Sequence, residues 1–390
     1  MPWPKFWQNR PASALTPSYP NVVFFAADAR YLQLAWLAAG DAAAQPGRSY
    51  DVVLLVLRGA GLRLPAPPPG CAVLEVELPR WVKTWPVPAH MSTANYIRLF
   101  AADLWLAQWQ RALYLDSDVL IGADLTSLFE IDLGGALAAL VEDCGFCRRD
   151  AAAAATRAVL LRAIGLDPRA TYFNSGVMLF DIAPWRQADV TSKLAGFKDI
   201  QASKSGSVDQ DFINFVVRGR VLELSPRWNF QTHYFDLGLE PVVRPGIAHY
   251  LDILKPWRDP EWNLAYDPCH VTAFADRLAQ DRVFGPGLGV ALRKRAHPDS
   301  VFAAHVENIH RERAGLRARV TSHIASSVDR YADLTPTEKQ LWSHSLRVPA
   351  CTSNRACTRS SMRPERSRAA RVLAKVAGRG LPVMRRMRSR

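Results

Sequence analysis

Ala112-Leu113-Tyr114-Leu115-Asp116-Ser117-Asp118-Val119-Leu120-Ile121 is the stretch on which the fold of this chain turns. Apolar residues flank the aspartates without polar alternation, the pattern of a strand buried on both faces. The aspartates then fall at or near its C-terminal end. Side chains two apart on a strand point to the same side, so Asp116 and Asp118 together can grip a hard divalent cation. Open α/β sheets bind ligands at their carboxyl edge, and a cation there would neutralise a phosphate-bearing substrate. An isolated Asp-x-Asp is also what a solvated turn supplies, so its weight comes from its surroundings.

Upstream, Val22-Val23-Phe24-Phe25-Ala26-Ala27 reads as a buried strand ending on Asp28, followed by a helical stretch from Arg30 to Ala43. Asp51 to Leu57 is a second buried strand, and Val73 to Leu78 a third, alternating and so more exposed. Strand and helix alternate over the first 120 residues, which predicts a parallel sheet with crossover helices. Ala94 to Gln110 is expected to be a helix feeding the Asp116 strand. Downstream, Ala136 to Glu142 and Val177 to Phe180 read as strands, and Asp209 to Val217 as a helix. Pro and Trp cluster between 226 and 262, which predicts irregular structure packed by large aromatics. Residues 265 to 345 are mostly helical in pattern and show no chemistry of their own, and no internal repeat is visible.

A hydrophobic fraction of 49% over 390 residues, with 22% charged, excludes a disordered chain and fits one large α/β domain with appendages. The net charge of +13 resembles a nucleic-acid binder only until it is mapped. Residues 351 to 390 hold twelve Lys or Arg against Glu365 alone, a net +11, which leaves +2 for the other 350 residues. Met1 to Pro20 has no continuous apolar core of a signal peptide. No run of about 18 uncharged apolar residues predicts a spanning helix. Six cysteines without a secretory signal fit reduced thiols inside a cell. Cys144-Gly145-Phe146-Cys147 has zinc-like spacing but no second pair at ribbon spacing, so these read as ordinary thiols.

Six segments follow one another in a recognisable order: Phe25-Ala26-Ala27-Asp28, Tyr96-Ile97-Arg98-Leu99, Leu113 to Asp118, Tyr172-Phe173-Asn174-Ser175-Gly176-Val177, Asp209-Gln210-Asp211, and His249-Tyr250 with Lys255-Pro256-Trp257. In this the chain resembles glycosyltransferase family 8 over roughly residues 21 to 260, the bacterial lipooligosaccharide galactosyltransferase branch above all. That branch is suggested by Leu128-Phe129 to Gly134-Gly135. The resemblance implies a GT-A type, Rossmann-like α/β fold with a mostly parallel central sheet. It implies a retaining transfer of galactose or glucose from UDP-galactose or UDP-glucose to a glycan, a bacterial lipopolysaccharide or lipooligosaccharide.

It also implies roles. Asp116, Asp118 and His249 would ligate a metal, and an imidazole in an oxygen-rich site favours manganese over magnesium. Lys255, six residues beyond His249, would add positive charge near the same phosphates, and the loop between them could close over the nucleotide. Ala26 and Asp28 would contact the uridine or ribose, and Arg98 the donor sugar and phosphate. Asp28 would also serve as a helix cap. Asn174 and Asp209 would hold the donor sugar, and Asp143, with Glu142 as its rival, would lie near sugar and acceptor. The family commonly has a small polar residue where this chain has Arg30, so one nucleotide contact differs. Gln210 would face the anomeric carbon. An amide is a poor nucleophile, which favours front-face substitution over a covalent relay.

The chain therefore divides into a lead over 1–20, a transferase domain over 21–265, a helical region over 266–345 and a basic tail over 346–390. Val372, Leu373, Val376, Leu381, Val383, Met384 and Met387 among the tail's arginines suit an anionic membrane surface. That would place the protein in the cytoplasm, peripheral on the inner face of the membrane. A disordered solubilising tail is the plainer alternative. Two other function classes compete. A haloacid-dehalogenase-type phosphatase would use Asp116 as nucleophile, but needs its motif on an early strand and a late acidic pair. A nucleic-acid-binding protein with a basic arm would need a recognisable module or basic body, and none is expected here.

Overall fold

The structure is a computed structural model describing residues 15–59, 62–85, 92–146, 151–201, 208–251, 255, 257, 274, 276–284 and 299–347. Most of the N-terminal lead, Cys147 and the basic tail beyond 347 lie outside the described residues.

A seven-stranded sheet carries the architecture, in the order β3-β2-β1-β4-β7-β6-β8. Its strands are β1 (Asn21–Ala27), β2 (Tyr50–Leu57), β3 (Cys71–Val76), β4 (Arg111–Leu115), β6 (Ala138–Glu142), β7 (Phe173–Asp181) and β8 (Val221–Leu224). All neighbours pair parallel except β7, which runs antiparallel to both β4 and β6. Both faces are covered, as the near-continuous apolar runs require. Along β1, Val22, Phe24 and Ala26 enter one core while Val23, Phe25 and Ala27 enter the other. Fully burying one such Val or Phe side chain contributes about 1.5–3 kcal/mol.

The main helices are α1 (Leu32–Ala43), α2 (Ile97–Leu104), α3 (Thr126–Phe129), α4 (Ala151–Ala163), α5 (Ile182–Gln187), α6 (Val190–Gln201) and α7 (Val208–Val217). Beyond β8 come a 3₁₀ turn, Pro226–Asn229, then α8 (Thr232–Asp236) and α9 (Glu240–Val243). A smaller sheet, β5-β10-β9, joins β5 (Val119–Ile121), β10 (Ile247–His249) and β9 (Phe230–Gln231). Two later helices, α10 (Asp299–Ser327) and α11 (Pro336–Arg347), build a third core with Phe230, Tyr234, Phe235 and Tyr250.

Three local expectations are corrected. The helix anticipated over Ala94 to Gln110 is a 3₁₀ turn, Thr93–Tyr96, followed by α2, which ends at Leu104. The chain must turn there so that Gln110 N–H can reach Pro20 carbonyl beside β4. Leu106 and Trp109 owe their apolar period to packing in that turn. The apolar run around the aspartates is two strands in two sheets: β4 stops at Leu115, and β5 resumes at Val119. The strand read from Val177 to Phe180 starts earlier, at Phe173, and takes in Asn174-Ser175-Gly176. Its pairing with β4 ends at Val177, while on the β6 side Leu140 pairs Met178 and Val141 pairs Asn174, a bulge.

Candidate active site

Topology gathers the polar residues at one edge. Asp28 follows β1, Asp116 follows β4 and Asp143 follows β6. Because β7 is antiparallel, its beginning, with Asn174, lies at the same edge. In the small sheet His249 stands opposite Val119, which places it beside Asp118, and Tyr250 N–H donates to the Asp118 carbonyl at 3.0 Å.

Asp116, Asp118 and His249 offer ligand atoms within 4.8 Å of one another. His249 is fully buried, and its Nε2 lies 3.5 Å from Asp116 Oδ2 and 3.3 Å from Asp118 Oδ1. That nitrogen has no hydrogen-bond partner. On the other side of the ring, Nδ1 is 2.9 Å from Asn229 Oδ1. The Asn229 amide nitrogen donates to Asn174 Oδ1 at 2.8 Å, so its oxygen is left to accept from Nδ1–H. The proton is thereby held on Nδ1, and the Nε2 lone pair faces the carboxylates, the arrangement of a metal-ligating imidazole. Two carboxylates and one imidazole suit a divalent cation, manganese among them. Gly176 makes room for this cluster, since an added Cβ would lie 2.1 Å from His249 Cε1 and 2.6 Å from Asp116 Oδ2.

Lys255 is buried and binds Asp118 Oδ2 at 2.8 Å and the Tyr250 carbonyl. Burial alone would raise the Asp118 carboxyl, but the group is held well below the usual carboxylate range, the Lys255 ammonium being the largest influence drawing it down. Lys255 and His249 thus meet on one carboxylate.

Arg98 is the hub of the site and, at 2% exposure, no surface arginine. Its guanidinium donates to Asp209 Oδ2 at 2.6 Å, to the Ser175 carbonyl at 2.8 Å and to the Asn95 carbonyl at 3.0 Å. It lies 3.3 Å from Asp116 Oδ1 and over the Tyr114 ring at 4.5 Å. Burial works against the guanidinium charge, but Asp116, Tyr114 and Asp209 overcome it and raise its pKa. Asp209 is shifted up by its own burial, with Arg98 opposing. These contacts make Arg98 the counter-charge of the site's own carboxylates. Tyr114, two residues before Asp116, donates its hydroxyl to Asp116 Oδ1 at 2.5 Å.

On the neighbouring strand ends, Asp143 Oδ2 accepts from Asn174 Nδ2 at 3.2 Å and from Gln210 Nε2 at 3.1 Å. Gln210 Oε1 accepts from Ser175 N–H at 3.1 Å. Asn214, one turn along α7, exchanges bonds with both the N–H and the carbonyl of Phe173 at 2.8 Å, fastening α7 to β7. Asp143 thus meets Asn174 and Gln210, whereas Glu142 pairs with His323. Asp28 caps the turn before α1, its Oδ1 accepting from the N–H groups of Arg30 and Tyr31, and Oδ2 accepting from the Ser92 hydroxyl at 2.6 Å. Ala26 is buried at the end of β1, and the Arg30 guanidinium lies over the Tyr31 ring. Asn229, Tyr114, Ser175 and Asn214 were not anticipated. A period-two reading outward from Asp116 would have found Tyr114, whereas nothing local connects Asn229 to His249. Among the described residues, Cys71 and Cys144 are buried free thiols.

Residues 79–261 match the family model of glycosyl transferase family 8. Among curated proteins, General stress protein A of Bacillus subtilis (strain 168) is 30% identical over 185 residues, 43% of this chain and 60% of that protein. Lipopolysaccharide 1,2-glucosyltransferase of Escherichia coli (strain K12) is 32% identical over 178 residues, 43% of this chain and 49% of that protein. The chain thus spans about half to three-fifths of these relatives. The crystal structure of galactosyltransferase LgtC in complex with donor and acceptor sugar analogs aligns with a TM-score of 0.51 at 24% identity. It covers 67% of this chain and 97% of that one. That likeness identifies the fold as the GT-A type.

Proposed function

We propose that this chain, whose residues 79–261 match the family model of glycosyl transferase family 8, is a metal-dependent, retaining hexosyltransferase. The donor is UDP-galactose or UDP-glucose, and the acceptor a hydroxyl of a bacterial surface glycolipid. The observation that carries this reading is the unpartnered Nε2 of buried His249 aimed between Asp116 and Asp118. Asp116, Asp118 and His249 would hold manganese, or magnesium in its place, which when bound supplies charge neutralisation to a departing diphosphate.

The protein's own groups do the rest. Lys255 adds a fixed positive charge next to the carboxylates, where a leaving diphosphate gathers negative charge. Asp143, Asn174 and Gln210 form one hydrogen-bonded row suited to orienting sugar hydroxyls. Gln210 has its oxygen engaged by Ser175 N–H, which lowers its nucleophilicity further and supports front-face substitution. In that step the bond from the anomeric carbon to the phosphate oxygen breaks. The acceptor oxygen bonds to the same face of that carbon, and its proton passes to the departing phosphate. The basic tail, +11 over residues 351–390, would keep the enzyme at an anionic, cytoplasm-facing membrane surface where a lipid-linked acceptor is found. The phosphatase and nucleic-acid readings lose ground to the family match, and Asp116 sits among Arg98, Tyr114 and His249 rather than free for attack.

Purified protein incubated with a panel of UDP-sugars tests this directly. Slow release of UDP from one hexose donor is expected with manganese and not with chelator. Asp118→Ala should lower it by at least about 100-fold. Release from no donor, together with no binding of UDP in manganese, refutes the assignment.

A further inference from the structure

We propose that His323, on a helix outside the family-matched residues 79–261, is a positioning residue of the active site, and that α10 and the turn after it form the site's rear wall. It rests on the transferase function proposed above.

Glu142 and Asp143 are consecutive at the end of β6, and their side chains leave in different directions. Asp143 meets Asn174 and Gln210 in the sugar row. Glu142 turns back, and its Oε2 lies 2.5 Å from His323 Nε2, with the two residues only 5% and 7% exposed. A buried carboxylate persists only where it is paired and hydrogen-bonded, and His323 is such a partner. The backbone around Asp143 is fastened as well. Gln231 Nε2 donates to the Glu142 carbonyl at 2.9 Å while its Oε1 accepts from Cys144 N–H at 2.8 Å. Asp143 N–H donates to the Tyr172 carbonyl at 2.9 Å. His323 brings an anchor from the C-terminal region to this strand end.

His323 is itself firmly placed. Val320, Ile324 and Val328 around it are buried in the third core, and Arg317, two turns earlier, donates to the carbonyls of Leu237 and Gly238. A second anchor follows the helix. Asp333 accepts from the N–H and the hydroxyl of Ser225, each at 2.6 Å. Ser225 opens the turn Pro226–Asn229, whose last residue orients His249. One C-terminal segment thus braces both halves of the site: Asp143 through Glu142, and His249 through Ser225 and Asn229. Catalytic groups must be held within about 0.5 Å of productive geometry, and misplacement by about 1 Å can cost about 100-fold in rate. A partner 181 residues away from Glu142 therefore bears on turnover without touching substrate.

The test uses full-length protein and manganese-dependent UDP-sugar turnover, with kcat, donor KM and manganese half-saturation measured separately. His323→Ala should lower kcat by about 10- to 100-fold and leave manganese half-saturation unchanged. His323→Gln, whose amide N–H can still donate to Glu142, should recover most of the loss. Should His323→Ala fail to fold, His323→Asn, with the same donor one bond shorter, takes its place against His323→Gln. Asp333→Ala should instead raise manganese half-saturation. Wild-type kcat in the His323→Ala protein overturns the inference. So does a loss that follows the unfolded fraction and is equal in the Gln and Asn variants. A wild-type protein that neither turns over UDP-sugars nor binds UDP with manganese overturns the transferase reading itself, and this inference with it.

Discussion

Asn229 has no hydrogen bond to either aspartate, yet it decides which nitrogen of His249 is free to coordinate. Its amide must donate to Asn174 and accept from His249, so it ties the metal side of the site to the sugar side. Removing such a partner typically costs 10- to 100-fold in metal affinity or activity. Asn229→Ala is therefore expected to raise manganese half-saturation by about that factor. Asn229→Asp should suffer less, because a carboxylate still accepts from Nδ1–H. Manganese titration of UDP release checks this, and an unchanged half-saturation in the Ala variant would mean that the ring is oriented by packing alone. Asp116, Asp118, His249 and Lys255 were legible because their order along the chain has a family precedent. Asn229 was not, since it lies in a Pro- and Trp-rich stretch without period and meets its partner 20 residues on. The sequence places Arg98 in the site by its motif alone, because the aspartate it pairs with is 111 residues away.

At the scale of elements, apolar runs predicted β1, β2, β4 and α7 closely, because a strand covered on both faces has to be continuously apolar. They misjudged Ala94 to Gln110, where core-facing residues in a turn imitate a helical period. They also hid the bulge at Asn174 to Gly176, which depends on how β6 and β4 each pair with β7. Start signals were on the page for α11: Thr335-Pro336-Thr337-Glu338 is a capping box with proline at the first helical position. Glu338 Oε2 accepts from Thr335 N–H and hydroxyl at 2.9 and 2.8 Å, and Glu338 N–H donates to Thr335 Oγ1 at 3.3 Å. The Thr335 N–H, with burial opposing, holds the Glu338 carboxyl below its ordinary value. A carboxyl lowered in the folded state adds stability above its unfolded pKa, about 4.3, and loses it as pH falls through the folded value. Thr335→Ala should cost about 1 kcal/mol at neutral pH. The cost of Glu338→Gln should shrink below about pH 4. Denaturant melts of both variants across that range check the pair, and a Glu338→Gln cost independent of pH would show that the cap does not act through the charge.

For the whole molecule, what stands out is the separation of charge from chemistry. Residues 1–350, which include the site's carboxylates and their counter-cations, carry a net +2, whereas +11 of the +13 lies in the last forty residues. No helix among the described residues is long and apolar enough to cross a membrane. Basic residues near an anionic surface contribute about 1 kcal/mol each at low salt, and the attraction fades beyond a Debye length of about 10 Å at 0.1 M. Eleven net charges are far more than stable attachment needs, even after most of that energy is lost to screening. The full-length protein should therefore sediment with vesicles containing anionic lipid at about 0.1 M salt and be released by about 0.5 M, as screening shortens the field. Neutral phosphatidylcholine vesicles should not retain it. Reversing Arg385, Arg386 and Arg388 to glutamate lowers the net charge of residues 351–390 from +11 to +5 and should weaken binding steeply while leaving turnover of a soluble acceptor unchanged. Equal binding to both kinds of vesicle, or none to either, would remove the membrane from the proposal and leave the transferase site standing on its own geometry.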